Sequence, residues 1–111
     1  MKSEHEILFA VNLDRVGCPM VQEHKFRPDR NWRLDFADPE TRVAVEIDGG
    51  EFMRGAHNRG VRMARDYEKR NTAATMGWTI FQLTGKMVQH EGNRWARIVA
   101  SMIVARRARI Q

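Results

Sequence analysis

The chain has 111 residues, of which 42% are hydrophobic and 30% are charged. This length and balance predict one folded domain, spanning residues 1–111, with a single hydrophobic core. No apolar run approaches the roughly 20 residues that cross a bilayer, and acidic residues soon after the N-terminus argue against a secretory signal. The net charge of +5 suits a polyanionic partner such as nucleic acid, although small basic proteins without such a partner are also common. A single cysteine excludes an internal disulfide, so we expect a cytoplasmic protein.

The N-terminal segment begins with the capping box Ser3 and Glu6, ahead of apolar residues at helical spacing. This pattern predicts a first helix that runs to Val16 and ends at Gly17. Further along the chain, Gly77 stands where a helix C-cap glycine belongs. Four further elements are predicted: a short strand at 21–26, a helix at 61–76, a strand at 78–83, and a last helix that contains the apolar run 98–104.

The middle of the chain predicts a β-hairpin. Residues 32–37 and 43–48 each alternate between apolar side chains and polar or small ones, which is the period-two pattern of strands. Asp38, Pro39 and Glu40 separate the two segments and have turn chemistry. The predicted element order is therefore αβββαβα, and we expect an α/β fold in which a mixed β-sheet is flanked by helices.

Three carboxylates are predicted to converge on this hairpin. Glu46 and Asp48 lie two residues apart on one strand and so share a face, and Asp35 lies across from them on the partner strand. Crowded carboxylates repel one another unless a cation or a proton intervenes. A hard divalent cation such as Mg²⁺, for which Mn²⁺ can substitute, suits these oxygen ligands. Ion pairs with neighbouring arginines on a solvated sheet face are the open alternative.

The same residues carry a resemblance to a known family. Arg33-Leu34-Asp35-Phe36, followed by a turn and Val45-Glu46-Ile47-Asp48-Gly49-Gly50, resembles the core of the PD-(D/E)XK nuclease superfamily, in particular very-short-patch-repair-like endonucleases and small phage and prophage nuclease-like proteins. Flanking residues that fit the pattern are Ser3 and Glu6 in the first helix, His57 after the glycine pair, Asp66 and Lys69 on the next helix, and Gly77-Trp78 before the next strand. The resemblance extends from Ser3 to about Val88.

This resemblance implies a restriction-endonuclease-like fold and a function. The implied activity is Mg²⁺-dependent hydrolysis of phosphodiester bonds in DNA by an endonuclease of phage or bacterial repair, recombination or processing. The alternative is a non-catalytic DNA-binding or assembly subunit that has the same fold. The implied metal ligands, which are also catalytic residues, are Asp35, Glu46 and Asp48.

One position departs from the superfamily pattern, which has a lysine where Asp48 stands. That lysine orients the attacking water or stabilises the developing negative charge. Lys69, on the following helix, is our candidate for the same role, because we expect its long side chain to reach back toward Glu46. His57 is a candidate general base or phosphate ligand, or else a loop residue that packs locally. Glu6 can reach the metal through water, or serve only as a capping residue.

Several arginines are candidates for DNA contact because arginine binds phosphates bidentately. These residues are Arg33, Arg54, Arg59 and Arg62. A solvated basic helix face is the alternative explanation for those on the helix. Apolar residues 102–104 of the last helix pack in the core or against a second copy, so a homodimer is an open alternative.

Overall fold

A computed structural model describes residues 2–48 and 59–110. In chain order the elements are helix α1 (Glu4–Arg15), strands β1 (Val21–Lys25), β2 (Arg33–Asp38) and β3 (Val43–Asp48), helix α2 (Arg59–Thr75), strand β4 (Thr79–Thr84) and helix α3 (Gly85–Ile110). The predicted order αβββαβα is confirmed, and so is the α/β class with a mixed sheet flanked by helices. None of the helices in the described ranges is long and apolar enough to span a membrane.

Two helix ends follow directly from local sequence. Ser3 is the N-cap of α1, and its side chain accepts a hydrogen bond from the Glu6 backbone N–H at 3.2 Å, as the capping box predicts. Gly77 has a φ of +87° after α2, and Trp78 N donates to the Ala73 carbonyl across it at 3.0 Å. Glycine adopts this left-handed conformation without steric cost, so α2 ends where the sequence indicates.

The sheet has the strand order β1-β2-β3-β4. Strands β1, β2 and β3 pair antiparallel, whereas β3 and β4 pair parallel. Two parallel neighbours need a long crossover, and α2 lies within the segment that connects β3 to β4. The topology thus places the start of β2 and the end of β3 beside the start of that crossover.

The sheet separates two apolar clusters. The larger one joins the sheet to α1 and α3 through Phe9, Leu13, Phe36, Val43, Val45, Leu83, Val88, Ala96, Val99 and Ile103. The smaller one joins the sheet to α2 through Phe26, Leu34, Ala37, Ala44, Ala73 and Trp78. Val43 and Val45 belong to one cluster and Ala44 to the other, which confirms the alternation predicted for β3.

Strand β2 departs from the simple alternation of the sequence pattern. Leu34 belongs to the α2 cluster and Phe36 to the α1–α3 cluster, although two residues of a regular strand that lie two apart share a face. The change of face occurs at Asp35, which lies between Leu34 and Phe36. On β1, these two neighbours of Asp35 pair with His24 and Gln22. The intervening Glu23 has a φ of +53°. Local backbone strain of this kind leaves no trace in a hydrophobicity pattern.

The basic end of α3 is bound to the turn between β2 and β3. Arg106 donates to the carbonyl oxygens of Thr41 and Arg42 at 3.0 and 3.3 Å, and to the Thr79 hydroxyl. Arg107 lies 2.9 Å from carboxylate oxygens of both Asp38 and Glu40. These two arginines therefore stabilise the fold and join the end of the longest helix to the sheet.

We expect Arg106→Met to lower the melting temperature. The substitution removes the donors for two backbone carbonyls and a hydroxyl, which costs about 1–2 kcal/mol and corresponds to roughly 5–10 °C in a domain of this size. Arg109→Met, at an exposed position on the same helix, is the matched control and should change the melting temperature little. Thermal unfolding followed by circular dichroism measures both. Equal melting temperatures for the two variants would contradict the structural role of Arg106.

Candidate active site

Asp35 and Glu46 are tied together across the β2–β3 pair. The Asp35 backbone N–H donates to Glu46 Oε2 at 3.3 Å, and the Ile47 backbone N–H donates to Asp35 Oδ2 at 2.8 Å. Each side chain thus accepts a hydrogen bond from the strand that carries the other. The sequence prediction that these two carboxylates lie together is confirmed.

Lys69 of α2 reaches the same pair of strands. Its Nζ lies 2.5 Å from Glu46 Oε1, and the two side chains are only 15% and 9% exposed. The expected approach of Lys69 to Glu46 is therefore confirmed, while its part in catalysis stays a prediction. Removing one member of such a shielded pair leaves an uncompensated charge, so this contact also matters for stability.

On its other side, Asp35 lies beside two further acids. Glu6 from α1, Glu23 from β1 and Asp35 each offer a carboxylate oxygen, and the three oxygens lie within 4.8 Å of one another. Glu6 was expected as a capping residue or a metal-linked acid, and it occupies a position compatible with both roles. Glu23 was not among the predicted site residues, because the sequence predicts only a short strand at 21–26 and no motif there. The only sequence signal was an acid in a predicted strand.

This crowding changes the chemistry of Asp35. The pKa of Asp35 is raised to about 7, first by burial and next by the negative charge of Glu46, with Glu6 adding to the effect. The Ile47 N–H and the positive charge of Lys69 oppose the rise. Near neutral pH the Asp35 carboxyl thus exchanges a proton readily, and a cation placed beside it would take the place of that proton.

The donor set suits a hard divalent cation. Glu6, Glu23 and Asp35 supply only carboxylate oxygens, the ligand type that Mg²⁺ and Mn²⁺ prefer. Glu46, by contrast, has one oxygen against Lys69 and the other against the Asp35 N–H. Asp35 therefore belongs both to the ligands that the sequence predicts, Asp35, Glu46 and Asp48, and to this group of three acids.

The other predicted site residues are distributed as follows. Asp48 is half-buried at the end of β3, pairs in register with Thr84 of β4, and engages other groups of the protein. Arg33 is exposed and donates to the Glu23 carbonyl at 3.3 Å, next to the acidic group. Arg62 is exposed on α2. His57, Arg54 and the side chain of Arg59 lie outside the described residues.

Comparison of the chain with protein-family models, with curated proteins and with solved structures finds no significant match. The resemblance to PD-(D/E)XK nucleases thus remains an expectation that rests on the motif residues.

We expect Asp35→Asn to stabilise the metal-free protein at high pH only. Because the folded-state pKa is raised, the contribution of Asp35 to stability is fully present below its unfolded pKa of about 3.9 and is lost as the pH rises through about 7. Asparagine keeps an acceptor for the Ile47 N–H but cannot ionise. At pH 8 the variant should therefore be more stable by about 1–2 kcal/mol, allowing for solvent screening of a partly exposed group, and at pH 4 the gain should vanish.

Melting temperatures in EDTA at the two pH values measure this difference. Asp14→Asn, which changes an exposed acid on α1, is the control and should show no comparable gain at pH 8. A stabilisation by Asp35→Asn that is the same at both pH values would contradict the electrostatic explanation.

Proposed function

We propose that this chain is a metal-dependent endodeoxyribonuclease with a restriction-endonuclease-like fold of the PD-(D/E)XK type. The observation that carries the proposal is the position of Asp35. Its carboxylate lies between the Glu46–Lys69 ion pair on one side and the acids Glu6 and Glu23 on the other. A group of acids with one shielded lysine suits metal-dependent phosphodiester hydrolysis.

The element order and the charge support the same function. An αβββαβα order with a mixed sheet is compatible with the proposed fold. Asp35 and Glu46 stand on the hairpin that carries the motif resemblance, and the net charge of +5 favours a polyanionic substrate. Arg33 and Arg62 are exposed and available to phosphates, and His57, Arg54 and Arg59 keep the roles that the sequence predicts for them.

Glu6, Glu23 and Asp35 would hold the divalent cation. Glu46 and Asp48 are the further ligands that the sequence predicts. When bound, such a cation polarises the scissile phosphate and lowers the pKa of an attacking water. In the metal-free protein the carboxyl of Asp35 has a pKa of about 7, so its proton must leave when the cation binds. Ionisation of Asp35 also adds the negative charge that attracts the cation.

Lys69 supplies a positive charge beside Glu46, which is the role that the resemblance gives to the motif lysine replaced here by Asp48. Its side chain is held by the ion pair and is mostly shielded from water. A fixed cation in a shielded site stabilises developing negative charge better than a solvated one. Glu46 would thus orient Lys69 in addition to lying next to Asp35.

The direct test is cleavage of supercoiled plasmid DNA. We expect nicking with Mg²⁺ or Mn²⁺, none with EDTA, and none from Asp35→Asn, because asparagine lacks the negative charge that binds the cation. Asp14→Asn is the control and should cut at the wild-type rate. Wild-type protein that binds DNA but does not cut it with either metal would contradict the proposal and favour the non-catalytic DNA-binding subunit.

Lys69→Met should slow cleavage on the order of 10²-fold, since one electrostatic stabiliser is lost, while DNA affinity changes only a few-fold. The variant should also melt at a lower temperature, because Glu46 is left buried without its partner. Adding Glu46→Gln should recover much of that stability, which would show that the loss comes from the unpaired charge of Glu46. Lys86→Met, at an exposed position on α3, is the matched control. Full cleavage activity in Lys69→Met would exclude its catalytic role.

A further inference from the structure

Two cations lie opposite each other where β1 ends and β2 begins. Lys25, the last residue of β1, is the register partner of Arg33, the first residue of β2. Both side chains are exposed. Like charges that lie directly opposite each other on neighbouring strands are destabilising. The stability of the sheet therefore gives no reason for these two residues, here called the Lys25–Arg33 pair.

The charge of the Lys25–Arg33 pair is not neutralised within the fold. None of the ion pairs in residues 2–48 and 59–110 includes either member. Arg33 donates through Nη1 to the backbone carbonyl of Glu23 at 3.3 Å, whereas a carboxylate oxygen of Glu23 lies within 4.8 Å of oxygens of Glu6 and Asp35. The neighbouring acid of β1 is thus directed to the candidate metal site. The remaining donors of the pair are available to an anion.

The pair points to the face of the sheet that α1 covers. On the register pair next to it, Leu34 belongs to the α2 cluster, and the ring of His24 lies 5.6 Å from the ring of Trp78 in the same cluster. Successive residues of a strand point to opposite faces. Lys25 and Arg33 therefore point away from α2, toward the face on which α1 packs.

This position is close to the candidate metal site. Arg33 precedes Asp35 by two residues, which corresponds to about 7 Å along a strand, and Glu6 approaches Asp35 from α1. Successive phosphates of one strand of a DNA duplex are spaced about 3.4 Å along its axis. A strand with its scissile phosphate at the metal therefore brings a flanking phosphate within reach of two long basic side chains.

We propose that the Lys25–Arg33 pair binds a DNA phosphate that flanks the scissile one. Arginine binds phosphate through paired N–H donors, and lysine adds a second positive charge. The bound phosphate relieves the repulsion between the two cations and holds the strand in position at the metal. The inference rests on the proposed function, because the metal at Asp35 defines which phosphate is cut.

Fluorescence anisotropy of a labelled DNA duplex, measured in EDTA at several salt concentrations so that no strand is cut, tests the pair. We expect Lys25→Gln and Arg33→Gln each to weaken binding about tenfold and to lower the log–log salt slope by about 0.9. Arg109→Gln is the matched control. It removes one positive charge from an exposed position at the end of α3 that binds the β2–β3 turn, and it should bind as the wild type does. Wild-type affinity and salt slope in both pair variants would overturn the inference.

Thermal unfolding separates phosphate binding from a structural role of the pair. Lys25→Gln removes one of two like charges that lie opposite each other, so its melting temperature without DNA should equal or exceed that of the wild type. A lower melting temperature would overturn the inference, because the loss of affinity would then follow from a damaged sheet.

Plasmid cleavage distinguishes failure of this inference from failure of the proposed function. Wild-type protein that binds DNA through the pair but cuts none with Mg²⁺ or Mn²⁺ contradicts the nuclease function and supports the phosphate site. An active nuclease whose Lys25→Gln and Arg33→Gln variants bind and cut as the wild type does contradicts the phosphate site alone.

Discussion

The concentration of negative charge around Asp35 is the constraint on which the candidate site depends. Burial is the largest cause that raises the pKa of the Asp35 carboxyl to about 7, and the negative charges of Glu46 and Glu6 add to the rise. The hydrogen bond from the Ile47 N–H and the charge of Lys69 offset only part of this effect. A buried acid under such repulsion gains free energy when a proton or a cation arrives, so binding and stability are linked at one residue.

The rest of the fold holds these groups together from separate parts of the chain. Glu6 comes from α1, Glu23 from β1, and Lys69 from the helix on the other side of the sheet. Each side of the sheet has its own apolar cluster, and the end of α3 is fastened to the β2–β3 turn by Arg106. Charges that repel one another can remain close only because these apolar clusters fix the elements that carry them.

The sequence by itself determined the element order, the capping of α1 by Ser3, the end of α2 at Gly77 and the pairing of Asp35 with Glu46, because these features depend on neighbouring residues or on one hairpin. It also identified Lys69 as the cation near Glu46. Only the tertiary structure shows that Glu23 lies beside Asp35 and that Leu34 and Phe36 belong to different apolar clusters. It also shows that Arg106 binds the β2–β3 turn. Those features arise from the positive φ of Glu23 and from contacts between residues distant in the chain, and neither is visible in local periodicity.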